Sequence, residues 1–300
     1  MHSRPVEGGR RRGSGGVNIR SAHTWMHRAF LAPAAVWMGG FFLLPLLFVF
    51  AISFAARGLY GGIEWVPTLE NYVLLADPLY LRVYGRSIVL ALLTTVACLA
   101  AGFPLAYYMA RASVRSQGIW LLLVMVPFWT NFLVRTYAWM FILRAEGIVN
   151  SGLIKVGLID HPLPILFSDT AVLIGLVYGY LPFMVLPLYA VLGRLDFTLI
   201  EAAWDLYATG WAVFWRVIVP LSRPGIIAGS ILVFIPSLGA YLTPDLLGGA
   251  RSMMIGTLIQ HEYLVVRDWP LGSAFSLMLM AAVVGGVWVF WRIERQIQLR

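Results

Sequence analysis

Apolar residues come along this chain in long unbroken runs, not in the alternating or every-third patterns of a soluble domain. Six runs stand out: Phe30 to Phe54, Ser87 to Ala110, Gly118 to Leu143, Thr170 to Leu192, Gly225 to Leu242 and Leu271 to Trp291. Each is near the ~20 residues that an α-helix needs to cross ~30 Å of hydrocarbon. None shows the strict alternation of a lipid-facing barrel strand. Backbone groups in hydrocarbon must be satisfied within their own segment, so the runs predict helices. The expected fold is an all-α polytopic membrane bundle with six transmembrane helices.

Composition agrees. Hydrophobic residues make up 60% of the chain and charged residues only 12%, too few to cover a soluble domain of this length. The first run follows Arg10, Arg11, Arg12, Arg20 and Arg28. It is longer than the ~7–15 residues of a secretory signal core, so it reads as a retained helix. Three parts result: an Arg-rich arm over 1–28, a six-helix domain over 29–292 and a short tail over 293–300.

Charge orients the bundle, because Lys and Arg near span ends resist translocation. With an even number of spans both termini share a side. That side also holds Arg111, Arg115, Arg194, Arg216, Arg223, Arg292, Arg295 and Arg300. The opposite side carries fewer cations and most of the acids, among them Glu64, Glu70, Asp77, Asp169, Asp245, Glu262 and Asp268. Both termini are therefore expected in the cytoplasm of a bacterial cell, with the protein in its inner membrane. The net charge of +8 is topological in this reading and does not mark a nucleic-acid surface.

Intrinsic catalysis is not expected. The histidines have no metal-ligand spacing, and His261-Glu262 lacks the second His of a zinc-protease motif. There is neither a phosphate-binding glycine loop with its Lys nor a nucleophile elbow, and no cofactor or metal is expected. Cys98 is the single cysteine, falls inside the second run and reads as a packing residue.

The longest loop on the cytoplasmic side, 194–224, carries the chemistry. Thr198 precedes Glu201 by the spacing of a capping box, so a helix is expected to start there. It puts Leu199, Ala202, Ala203 and Leu206 on one face with Glu201 and Asp205 beside it, and Gly210 can end it. A second amphipathic piece runs through Trp211, Phe214, Trp215 and Ile218 to Pro220. Physics alone leaves two readings open: a helix lying on the membrane surface, or a docking element for a partner protein.

The run Glu201-Ala202-Ala203, with Ile218, Pro220 and Pro224-Gly225, resembles the EAA loop of binding-protein-dependent ABC importer permeases. That resemblance implies a type I importer fold in which the loop docks on a cytoplasmic ATPase subunit, with Glu201, Ala202, Ala203, Asp205, Gly210 and Pro220 as its coupling residues. One position departs: the family pattern places glycine where this chain has Tyr207, and the next glycine is Gly210.

The segments Pro127 to Trp139, Gly179 to Tyr189, Asp245 to Gly249 and Arg267-Asp268-Trp269-Pro270 are similar to the spermidine/putrescine (PotB-like) permease group. The resemblance implies a polyamine substrate, a second permease subunit forming a heterodimer, cytoplasmic ATP-binding subunits that carry the hydrolysis, and an extracytoplasmic solute-binding protein.

Candidate path residues follow from what an alkylammonium seeks, namely carboxylates and aromatic faces. Tyr241 and Asp245 are four apart and share a face if the helix survives Pro244. Trp129, Tyr137, Tyr178 and Tyr180 can add aromatic walls, although such residues also anchor span ends. Arg135 lies within a span and must be paired or face a wet cavity, and Asn131 is one turn before it. The alternatives are a permease of the same family for another solute, an ion-coupled secondary transporter and a noncatalytic scaffold.

Overall fold

The computed structural model describes residues 19–249 and 252–298. Most of the expected N-terminal arm, the end of the C-terminal tail and Arg251 lie outside the described residues. The chain divides into a unit up to Val49 and a larger unit from Phe50 onward.

The described residues of the first unit are helical. It holds most of α1 (Ile19–Ser53), whose apolar stretch Ala32–Ser53 is long enough to span a bilayer.

In the second unit, a short antiparallel ribbon pairs Ala56–Arg57 with Ile63–Glu64 and is followed by α2 (Glu70–Leu74). Then come α3 (Pro78–Arg111), α4 (Val114–Trp129), α5 (Phe132–Leu143) and α6 (Ile148–Lys155). The remainder is α7 (Asp169–Leu192), α8 (Thr198–Asp205), α9 (Gly210–Val213), α10 (Val219–Leu238), α11 (Ile255–His261) and α12 (Trp269–Gln298).

Helices α3, α7 and α10 form the core. Cys98, Phe103, Ala106 and Met109 of α3 meet Met184, Val185, Leu188 and Leu192 of α7, with Val233 of α10 in the same cluster. Small residues let the backbones close up, the usual solution where lipid supplies no hydrophobic drive between helices. A Cβ on Gly225 would come within 3.0 Å of the Pro187 carbonyl oxygen, and one on Gly229 within 2.7 Å of the Met184 sulfur. Cys98 is fully buried there, as expected of a packing residue.

Three expected spans change. The second is longer than its apolar run, because Asp77 accepts from the Leu79 N–H and starts α3 nine residues before Ser87, outside the run. The third is not one helix: α4 and the α5–α6 stretch meet at 90°, broken at Thr130–Asn131. The fifth starts at Gly210, because α9 passes through a π-helical turn at Phe214–Ile218 directly into α10. The expected separate second piece of the loop is thus the first turns of that span.

After α10 the chain makes a hairpin, partly buried, before α12. Helix α11 packs Ile255 and Leu258 against Tyr84 of α3 and Leu271, Ala274 and Phe275 of α12. Its first N–H, from Ile255, donates to the Ser87 hydroxyl at 2.8 Å, and the Tyr84 hydroxyl donates to the Phe275 carbonyl at 2.9 Å. At this end Arg86 pairs with Asp169 and also donates to the Ser252 hydroxyl, which ties α3, α7 and the hairpin together.

Candidate coupling loop and translocation path

The 194–224 loop folds as expected in outline and differs at both ends of α8. Thr198 is the first helical residue and not the cap. The Asp196 carboxylate accepts from the Thr198 N–H at 3.0 Å instead, and bonding to Thr198 holds its pKa below the usual carboxylate range. An Asp two residues before a helix start is a legible Asx-turn signal, which the Thr-x-x-Glu spacing overshadowed.

At the other end Gly210 does not stop the helix. Tyr207 takes the left-handed conformation at φ 60°. Its N–H donates to the Trp204 carbonyl at 2.8 Å, and the Ala208 N–H reaches back to the Ala203 carbonyl at 3.1 Å. This is a Schellman closure built on a tyrosine at the position where the resemblance leads one to expect glycine. Gly210 instead opens α9, whose first turn is capped by the Thr209 hydroxyl. Pro220 comes directly after the π-helical turn, inside the continuous helix from Gly210 to Leu238.

The two faces of α8 have different fates. Ile200 is buried with Met109, Ala110, Leu192, Val213 and Ile218, and Ala203 packs against the same cluster. Leu199, Ala202, Glu201 and Asp205 are exposed, as are Leu206 at 82% and Tyr207 at 97%. One side of the loop is therefore welded to the ends of α3, α7 and α10. The other presents an apolar strip edged by two carboxylates that no described residue covers.

At the break in the third span Asn131 and Arg135 are both engaged. Pro127 has a carbonyl that the interrupted helix leaves over, and it accepts from the Thr130 hydroxyl at 2.7 Å and from Arg135 Nη1 at 3.2 Å. Asn131 caps α5 by accepting from the Leu133 N–H at 2.8 Å. The guanidinium carbon of Arg135 lies 5.9, 5.3 and 5.8 Å from the ring centres of Phe128, Phe132 and Tyr178. Arg135 is thus paired, as expected, but with a carbonyl and aromatic faces and not with a carboxylate. Trp129 is 72% exposed at the end of α4, and Tyr180 donates its hydroxyl to the Pro236 carbonyl at 3.1 Å, joining α7 to α10.

Tyr241 and Asp245 are related differently from expectation. Helix α10 ends at Leu238, three residues before Tyr241. A new turn begins after Tyr241, whose carbonyl accepts the Asp245 N–H at 3.0 Å and the Thr257 hydroxyl at 3.2 Å. Both side chains are exposed, one turn apart on the hairpin and not on the span. Gly239 followed by Pro244 was the readable sign of this break.

Beside Tyr241 opens a cavity of about 440 Å³ between the end of α10, α11 and α12, lined in part by Gln260. Sequence reading missed Gln260, since a lone amide in a mixed segment carries no pattern.

A helical bundle of membrane-spanning length, with one loop welded to its core and exposed beyond it, defines a multi-pass permease subunit of the type I importer fold. The chain belongs to the family described as the inner membrane component of binding-protein-dependent transport systems, which it matches over residues 102–297.

It is 43% identical to the spermidine/putrescine transport system permease protein PotB of Escherichia coli K12, over 86% of this chain and 94% of that protein. It is 42% identical to the protein of that name from Haemophilus influenzae, over 86% of this chain and 91% of the relative. Among solved structures, a chain of a bacterial alginate ABC transporter in complex with its pentasaccharide-bound periplasmic protein superposes with a TM-score of 0.75 at 16% identity, covering 94% of this chain and 98% of that one. The last likeness is one of fold.

Proposed function

We propose that this chain is a permease subunit that passes polyamines of the spermidine/putrescine class into a bacterial cell. The observation that carries the substrate is the 43% identity, across nearly the whole length of both chains, to a permease of that name. In this reading the chain pairs with a second permease as a heterodimer, receives polyamine from an extracytoplasmic binding protein, and contains no hydrolytic site. Separate cytoplasmic ATP-binding subunits supply the energy. The arm over 1–28, the loop over 194–224 and the tail over 293–300 all lie in the cytoplasm.

The two-faced α8 supports the coupling role. Its exposed strip of Leu199, Ala202 and Leu206, flanked by Glu201 and Asp205, suits a groove on a partner. Its inner face shares a packed cluster with three spans, so displacement by the ATPases is carried into the bundle. Alternating access then requires that each nucleotide state favour one exposure of the path by differential contacts.

The test is uptake of labelled spermidine and putrescine by cells lacking their own polyamine importers, with this chain co-expressed with its cognate partners. Saturable uptake that stops when the ATPase subunits are inactivated is expected. Uptake that persists without them would indicate an ion-coupled carrier, and ATP-dependent uptake of a different solute alone would remove the polyamine assignment.

A further inference from the structure

Among the described residues, the cavity beside Tyr241 is lined by no charged side chain and yet collects groups that attract a cation. Its walls include Gly239, Tyr241, Ile259, Gln260, Leu279 and Met280, drawn from the end of α10, from α11 and from α12.

The end of α10 supplies acceptors. The carbonyls of Gly239 and Ala240 accept no hydrogen bond among the described residues. Proline explains one of them: the residue four beyond Ala240 is Pro244, which has no N–H to give. A helix C-terminus carries roughly half a negative elementary charge, and broken helices in membranes use such ends to hold cations.

Helix α11 is pressed against this end. A Cβ on Gly256 would fall 2.5 Å from both the Gly239 and Ala240 oxygens, so only glycine lets the two elements meet.

Side chains complete the site. The Gln260 amide makes no hydrogen bond or ion pair among the described residues and lines the cavity. The Tyr241 ring is 47% exposed beside it. Ile259, Leu279 and Met280 form an apolar wall.

We infer that this cavity is a subsite for an alkylammonium group in transit. The Gln260 amide oxygen, the Gly239 carbonyl and the Tyr241 face take the cation, and the apolar wall takes its methylenes. The inference rests on the polyamine reading for the identity of the cargo, but not for the cation preference of the cavity.

Two measurements test it in the assembled transporter. Spermidine uptake by Gln260→Lys should fall by about tenfold or more, the worth of one hydrogen bond to a charged group plus the added repulsion. Gln260→Glu, of similar size and opposite charge, should retain uptake, so a packing defect cannot produce both results. Equal uptake by Gln260→Lys and wild type, or equal losses in the two variants, would overturn the proposal.

The second measurement needs no polyamine transport. In a Cys98→Ala background, Gln260→Cys should react about tenfold faster with a cationic than with an anionic thiol reagent of similar size, a ratio set by local potential. Equal rates would refute the cation site. A cationic preference in a transporter that imports no polyamine would uphold the site and reject only the cargo.

Discussion

The Tyr207 N–H donates to the Trp204 carbonyl at 2.8 Å while Tyr207 itself stands at φ 60°, so a tyrosine closes the exposed helix α8. A left-handed non-glycine residue costs about 1–2 kcal/mol. Tyr207→Gly should relieve that cost and raise the unfolding midpoint of the purified transporter, with coupled uptake retained. Tyr207→Val should do the opposite, since a β-branched side chain fits that region worst. A thermal unfolding series read alongside uptake decides the matter; a Tyr207→Gly protein less stable than wild type would refute the strain.

Glu201 lies on the exposed side of α8, away from the Ile200 cluster. Glu201→Lys should leave the bundle folded and disrupt coupling or assembly with the ATPase subunits. ATP hydrolysis and uptake measured on the same vesicles would show it: unchanged transport per ATP would mean that this carboxylate does not meet the partner.

Arg135 and the Thr130 hydroxyl are the donors on the Pro127 carbonyl at the break. Arg135→Leu should destabilise the bundle by about 2 kcal/mol, the scale of a charged hydrogen bond. Arg135→Lys should recover part of this, because a point charge replaces the donor but not the guanidinium's contact with Phe128, Phe132 and Tyr178. Denaturation midpoints of the two variants should therefore rank Lys above Leu.

Asp245 is exposed on the hairpin one turn after Tyr241. Asp245→Asn should lower polyamine uptake severalfold at low ionic strength and less at high salt, where screening already weakens the field. Wild-type kinetics at both salt levels would remove Asp245 from the path.

Glu262 introduces a pH dependence. It is 6% exposed, and burial, then the nearby Asp268 carboxylate, push its pKa up from 4.5, partly offset by His261 and Arg57. Its neutral form suits the folded state, so stability is greatest below 4.5 and falls as pH rises through the elevated folded-state value. Glu262→Gln should abolish that fall and stabilise the protein at neutral pH. Midpoints recorded across the acid range would show two parallel curves if the group titrates normally.

Much of this molecule was readable in advance because lipid punishes unsatisfied backbone so heavily that apolar length alone announces a helix. Phe30 to Phe54 and Thr170 to Leu192 are such cases. Helical spacing put Leu199, Ala202, Ala203 and Leu206 on one face; the structure leaves Leu199, Ala202 and Leu206 exposed but packs Ala203 on the buried Ile200 cluster. Asn131 and Arg135 were marked as unusual, but their use in bridging a 90° break was not, since one residue in the extended conformation at Thr130 leaves no trace in hydropathy.

By itself the amino-acid order determined that this is an all-helical membrane protein, which end of it is basic, and where a polar loop interrupts the apolar runs. Those properties are sums over neighbouring residues, and a local window contains them. Tertiary structure alone decided that Arg135 sits among Phe128, Phe132 and Tyr178 and that Gly239 and Gln260 share a cavity. Gln260 is 21 residues from Gly239, and the packing of α11 on the end of α10 through Gly256 is what brings them to one wall.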